Sequence, residues 1–239
     1  MNERQRVVEL VDITKTFPGV LANDNAHLSV GLAEIHAVVG ENGAGKSTLV
    51  KILYGMQTPD SGTVRVKGKD VHFRSPKDAI RSGIGMVHQH FMLADNLTVL
   101  ENIILGAEPT RGIALDLRAA RDKILSLCDQ YGMQLDPNVL VEELSIGERQ
   151  RIEIMKVLYR GATILILDEP TAVLVPQEVD ELFVSLRELQ AEGVTIIFIS
   201  HKLDEVLTIS DAITVMRDGR TVASVKPGDI TARDLAELM

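Results

Sequence analysis

Residues 40–48 read GENGAGKST and lie between EIHAVV (34–39) and LVKILYG (49–55). The first flank is a short apolar run of strand type, and the second carries the apolar spacing of a helix. The turn between them fits G-x-x-x-x-G-K followed by Ser or Thr, in the strand-then-helix context that this pattern requires. Gly43 and Gly45 let the backbone curl so that its N–H groups face phosphate oxygens, assisted by the positive end of the following helix. Gly40, Glu41, Asn42, Gly43, Ala44, Gly45, Lys46, Ser47 and Thr48 therefore read as a cradle for a nucleotide. Lys46 would reach the β- and γ-phosphates of ATP, and Ser47 would ligate Mg²⁺.

Working outward, VVELVDI, EIHAVVG, GIGMVH, TILILDE, VTIIFIS and AITVMRDG are β-type runs, separated by helical patterns such as KSTLVKILYG, QEVDELFVSLRELQAEG and HKLDEVLTIS. Strands alternating with helices predict an α/β fold around a mostly parallel sheet, and together with the 40–48 motif this implies a P-loop NTPase core. TILIL and VTIIFI are apolar throughout, which predicts burial on both faces at the sheet centre. The N-terminal part differs: residues 7–30 and 61–73 read as hairpins punctuated by Gly, Pro and Asn, an antiparallel β subdomain. About seventy residues between GMVHQ and TILIL have helical periodicity (TVLENIILG, DLRAARDKILSLCDQYG, ERQRIEIMKVLYRG) and predict a helical insertion over about 90–160.

Composition narrows the class. Apolar residues make up 45% of the 239, yet no uninterrupted run approaches the ~18 that suggest a membrane span. The N-terminus MNERQRVVEL lacks the apolar core of a secretory signal. Cys128 is the only cysteine, so no intrachain disulfide forms and the residue reads as helix packing. Acidic residues outnumber basic ones, 34 against 25, for a formal charge of -9, which argues against a broad nucleic-acid footprint.

Two further segments carry chemistry. In ILILDEP an apolar strand ends in Asp168, placing a carboxylate beside the Mg²⁺ shell, and Glu169 can polarise a water towards the γ-phosphate. LSIGERQ, from Leu144, offers the Ser145 hydroxyl and the Gly147 amide at the start of an amphipathic helix. An ordinary helix cap at Ser145 is the competing reading.

In these segments the sequence resembles the ATP-binding-cassette ATPases, over essentially the whole chain. GENGAGKST is similar to the Walker A loop, GMVHQHF to the Q-loop with Gln89, LSIGERQ to the signature motif, ILILDEP to Walker B, and FISHKLDEV to the switch-histidine segment with His201. Phe17, in KTFPGV, stands where the family places an aromatic that stacks on adenine. The resemblance implies catalytic roles for Glu169, His201, Gln89 and Lys46. It implies Mg²⁺ contacts from Ser47, Gln89 and Asp168, and service of a partner's nucleotide by Ser145 and Gly147. One departure is in TAVLVPQE, where Ala172 and Val175 occupy the positions of the Ser and Asp common in the loop after Walker B. That segment is similar to double-cassette importers of sugars and nucleosides, in which a threonine often precedes the proline. HQHFMLADNLTVLENIILG and IMKVLYRGATILILDEP resemble the nucleoside or purine branch.

The resemblance implies an ATPase that energises a membrane importer from the cytoplasmic face. Its partners would be transmembrane permease subunits, a second cassette and, indirectly, an extracytoplasmic solute-binding protein, with no nucleic acid. The chain resembles the first half of a double-cassette protein, so the expectation is a fragment whose partner is a second cassette of about 250 residues. Two alternatives belong to other classes. A cassette ATPase of DNA or ribosomes is disfavoured by the charge and the short insertion, and a non-catalytic regulatory module is disfavoured by Glu169, Gln89 and His201.

His88 and His90 flank Gln89 without a nearby Cys or carboxylate cluster, and zinc wants three or four ligands, so packing or solvation is expected of them. The same holds for His27, His36 and His72. Arg149 and Arg151 are expected to form surface ion pairs on their helix.

Overall fold

TILIL and VTIIFI set the architecture, because each side of such a strand needs its own apolar cover. The computed structural model, described over residues 5–89, 91–112 and 114–239, supplies two covers. Leu165 and Leu167 face one core with Ile196 and Phe198, whereas Ile164 and Ile166 face the other with Ile197 and Ile199. The first core packs the sheet against helices, and the second packs it against two helices and an antiparallel sheet.

The chain opens with the hairpin of β1 (Arg6–Phe17) and β2 (Val20–Gly31), followed by β3 (Ile35–Val39), α1 (Lys46–Leu53), β4 (Ser61–Val66), β5 (Lys69–Val71), α2 (Pro76–Arg81) and β6 (Ile84–Val87). Between β6 and the next core strand lie α3 (Val99–Ile104), the short pair β7 (Thr110–Arg111) and β8 (Ala114–Leu115), α4 (Leu117–Gln130) and α5 (Ile146–Tyr159). There follow β9 (Ile164–Asp168), α6 (Pro176–Ala191), β10 (Thr195–Ile199), α7 (Leu203–Ile209), β11 (Ala212–Arg217), β12 (Arg220–Val225) and α8 (Ala232–Leu238).

The antiparallel sheet runs β2-β1-β4-β5, as the two hairpin readings require, and the core sheet runs β12-β11-β3-β10-β9-β6. Within the core sheet β11, β3, β10, β9 and β6 are parallel, with β9 and β10 inside, and only β12 is antiparallel. That strand returns through the two-residue turn Asp218-Gly219, both at positive φ (50° and 79°), the backbone that tight hairpins favour.

The segment after β6 is tied to α5 by polar contacts. The Glu153 carboxylate accepts from the Met92 amide at 2.7 Å, and the Lys156 ammonium donates to the Met92 carbonyl at 3.0 Å. Asn102, fully buried, accepts from the Ala94 amide and donates to the Ala94, Leu97 and Thr98 carbonyls, fixing the approach to α3. Cys128 packs inside the helical core, its thiol pushed up chiefly by burial. No described helix is long and apolar enough to cross a membrane.

Candidate functional site

Parallel strands deliver their following loops to one edge, the carboxyl end, where α/β sheets place ligands. Here four neighbouring strands do so together. Gly40 follows β3, Gln89 comes two residues after β6, Asp168 ends β9, and His201 comes two residues after β10.

The loop 40–45 is shaped by glycines at positive φ: 155° at Gly40, 89° at Gly43 and 96° at Gly45. Gly45 is boxed in, since a Cβ there would lie 2.4 Å from the Ala22 carbonyl oxygen and 2.6 Å from the Asn23 amide nitrogen. At Gly43 a Cβ would meet nothing within 4 Å, so the loop is open on that side. The floor is held by Asn23, which donates to the Gly45 carbonyl, and by Gly219 of the β11–β12 turn, which donates to the Ala44 carbonyl. Lys46, the first residue of α1, is buried and donates to the Gly40 and Glu41 carbonyls at 2.7 and 2.9 Å. Burial lowers its pKa, against the raising pull of Glu169 and Asp168. Ser47 is exposed in the first turn, and Thr48 is half-buried beside it.

Across the site, burial and the Glu169 charge push the Asp168 carboxyl above its ordinary 3.8, while Lys51, His88 and Lys46 pull the other way. Glu169 adopts φ 50°, a left-handed backbone unusual for a residue with a side chain. Its amide donates to the Ile199 carbonyl at 3.0 Å, and its carboxylate oxygens lie 3.0 and 2.9 Å from His201 Nδ1. A carboxylate oxygen accepts, so in this contact the His201 Nδ1–H is the donor.

The loop after Glu169 is pinned at its start. The Thr171 hydroxyl donates to Glu205 at 2.5 Å, and Lys202 donates to the Thr171 carbonyl and pairs with Glu205 at 3.0 Å. Gln89 is exposed just beyond β6, and His88 presents its ring edgewise to Tyr54. His90 lies outside the described residues. Phe17, half-buried, closes β1 at the Pro18-Gly19 turn, two residues beyond Lys15, which pairs with Asn23 under the loop. The Lys15 ammonium lies 5.5 Å from the Phe17 ring centroid.

Ser145 and Gly147 make their contacts away from residues 40–48. Ser145 is the cap of α5: its hydroxyl accepts from the Glu148 amide, and Glu148 accepts in return from the Ser145 amide. The Gly147 amide donates to Glu178 of α6 at 3.0 Å. Arg149 and Arg151 pair between elements rather than along their own helix, with Asp95 and Glu181 at 2.9 Å each, because α5 packs against both neighbouring segments. His36 is buried between Glu34 and the Thr214 hydroxyl, and His27 pairs with Asp12 at the surface.

The residues present fit Mg²⁺ and a nucleotide. Ser47 and Asp168 offer oxygen donors, and no group of three or more metal-ligating side chains exists among the described residues. Mg²⁺ uses one or two side chains plus phosphate oxygens and water. Asn23, Gly219, Thr171, Lys202, Glu205 and Glu178 support the site and were not legible as such. Of these, Glu178 had a local signal as the acidic third residue of a Pro-initiated helix, and Gly219 had one as half of an Asp-Gly turn.

A family model described as ABC transporter matches residues 23–172. A nucleoside import ATP-binding protein of Lactococcus lactis subsp. cremoris is 53% identical over 98% of this chain and 46% of its own length. A glucose import ATP-binding protein of Haloferax volcanii is 47% identical over 99% of this chain and 48% of its own length. The chain thus spans about half the length of the curated relatives it matches. Among solved structures, cbiO1 of Clostridium perfringens, part of an ABC transporter complex, superposes with a TM-score of 0.84 at 28% identity, covering 98% of this chain and 93% of that one. With the family model covering well over half its residues, the chain belongs to the ABC transporter family.

Proposed function

We propose that the chain binds Mg-ATP at the carboxyl edge of its core sheet and hydrolyses it to drive a membrane importer of a nucleoside or sugar. The observation that carries this reading is the Glu169–His201 contact at 2.9 Å, adjoining Asp168 and facing Lys46. A nucleotide grip alone would need neither an imidazole nor a second carboxylate.

In this reading the 40–48 backbone and Lys46 hold the phosphates, Phe17 stacks on adenine, and Ser47, Asp168 and Gln89 form the metal side of the site. Bound Mg²⁺ would supply neutralisation of phosphate charge. The Glu169 carboxylate takes a proton from the attacking water, and the His201 Nδ1–H fixes the carboxylate's orientation. The left-handed backbone at Glu169 serves the same end, turning the side chain out from the strand end towards the phosphates.

Ser145 and Gly147 face a second cassette's nucleotide, and the helical segment about 90–160 meets the permease at the cytoplasmic face of the membrane. The partner cassette is the other half of a two-cassette chain, a reading supported by the length of the relatives. The solutes in their names, a nucleoside and glucose, support a small polar solute, and an extracytoplasmic binding protein would deliver it.

Phosphate release measured for the chain alone, and with the second cassette and permease, tests the proposal. Mg-ATP binding by the chain with slow release, accelerated in the assembly, is expected. Fast release by a stable homodimer of this chain alone would overturn the two-cassette reading, and failure to bind Mg-ATP would overturn the whole.

A further inference from the structure

The loop after Walker B departs from the family at Val175, and Val175 caps α6. A valine side chain has no acceptor, so this helix start has only the return half of a cap: the Glu178 carboxylate accepts from the Val175 amide at 3.2 Å. The other oxygen of that carboxylate accepts from the Gly147 amide at 3.0 Å. One side chain therefore joins the entry of α6 to the start of α5. The absence of a side chain at Gly147 permits the approach, since a Cβ there would lie 3.1 to 3.2 Å from the carboxyl group.

A single N–H at a helix start has one strong preference, an anion. In the proposed function the anion for Gly147 is the γ-phosphate held by the opposite cassette, and the inference rests on that reading. Both anions cannot occupy the same N–H.

We propose that the Glu178 carboxylate is a same-chain stand-in for that γ-phosphate. It holds the Gly147 amide while the cassettes are apart and is displaced when the opposite nucleotide docks. Displacement also releases the Val175 amide, so the end of the loop 170–175 is loosened at the moment of docking, while its start stays pinned by Lys202 and Glu205. The departure at Val175 then does not cut the loop out of cross-dimer communication. It transfers the contact to Glu178, which acts as a positioning residue and touches no substrate.

The test is steady-state ATP hydrolysis by the assembled importer, with wild type, Glu178→Gln, Glu178→Ala and, as a control, Glu181→Gln. Glutamine keeps a single acceptor oxygen for the two amides, its NH2 being a donor only, and removes the charge that competes with phosphate. We expect KM for ATP to fall about three- to tenfold in Glu178→Gln, with the change confined to KM. The ratio to wild type should shrink towards one as salt rises, because a partly exposed charge is screened. Glu181→Gln removes a charge from the same face of α6 without touching Gly147 and should leave KM where it was. Glu178→Ala loses the cap as well, and faster hydrogen exchange at Gly147 in the free chain should report it.

A purely structural cap predicts instead a lower Tm for Glu178→Ala and the wild-type KM for Glu178→Gln at every salt concentration. That result in an active assembly overturns this inference alone. A wild-type assembly that does not hydrolyse ATP overturns the transport reading, and this inference with it.

Discussion

Gly43 and Gly45 share a left-handed backbone, φ 89° and 96°, but differ in what surrounds them, so the pair separates strain from crowding. Placing an L side chain there costs about 1–2 kcal/mol at either position. The loss of unfolded-chain entropy on Gly→Ala offsets part of this, equally at both. At Gly43 nothing else is added, because a Cβ would meet no atom within 4 Å. At Gly45 the Cβ would lie 2.4 Å from the Ala22 carbonyl oxygen, which is backbone of a paired strand, and 2.6 Å from Asn23. Asn23 is fully buried and already donates to the Gly45 carbonyl, so neither neighbour can step aside cheaply. Overpacking of this kind costs about 1–3 kcal/mol. At ~2–4 °C per kcal/mol for a chain of this size, Gly45→Ala should melt about 2–12 °C below Gly43→Ala in calorimetry without nucleotide. Titration calorimetry should then show the larger loss of Mg-ATP affinity in Gly45→Ala, because the loop must shift to relieve the contact. If the two variants melt together to within about 1 °C, the reasoning from the Ala22–Asn23 wall is wrong.

Glu169→Gln keeps the size and an acceptor but removes the base, so hydrolysis should fall ~10²- to 10⁴-fold while Mg-ATP binding survives; near-normal turnover in the assembled importer would reject the role. Phe17→Ala should weaken ATP by about ten- to a hundredfold if stacking is worth ~1–3 kcal/mol, with GTP affected nearly as much; unchanged affinity for both would leave Phe17 as hairpin packing. For Asp168 the folded pKa is raised, so its contribution to stability is fully present below the ordinary 3.8 and is lost as pH rises through the raised value. Asp168→Asn removes that penalty and should melt higher than wild type near pH 7 without ligand, yet show a smaller Tm rise with Mg-ATP. A lower Tm at pH 7 would contradict the assigned shift.

What was legible in the sequence was whatever local pattern determines. TILIL and VTIIFI had to lie between two covers because both faces are dominated by apolar side chains and neither carries a charge, and Lys46 was bound to open a helix because the glycines before it cannot continue one. The strand β12 was missed although Asp218-Gly219 is a strong hairpin turn, because RTVASV alternates too weakly to stand out beside AITVMR. The pairing of Arg149 and Arg151 along their own helix was the local expectation, whereas the carboxylates that hold them, Asp95 and Glu181, come from other elements. Ser145 was open between cap and phosphate donor. The structure places it as the cap of α5, a role compatible with either, since a hydroxyl that accepts from Glu148 still has its proton to give. Contacts between segments distant in sequence, such as Gly147 with Glu178 or Ala44 with Gly219, leave no mark in either segment alone.

The costs in this fold gather where the chemistry is proposed. Burial raises Asp168 and lowers Lys46, so each charge is held against its own solvation, and Glu169 sits in a backbone conformation that a side chain disfavours. Asp168 and Glu169 lie at the end of β9 and Lys46 at the start of α1, with the most deeply covered part of the molecule only a few residues behind them. A rigid double-faced strand can hold a strained residue at its tip because moving it would disturb two cores at once. The incoming groups have the signs that relieve the electrostatic part: a cation beside Asp168 and phosphate beside Lys46. Ligand binding and fold stability are therefore linked through the same side chains, and a substitution that relaxes the free site is expected to weaken its hold on Mg-ATP.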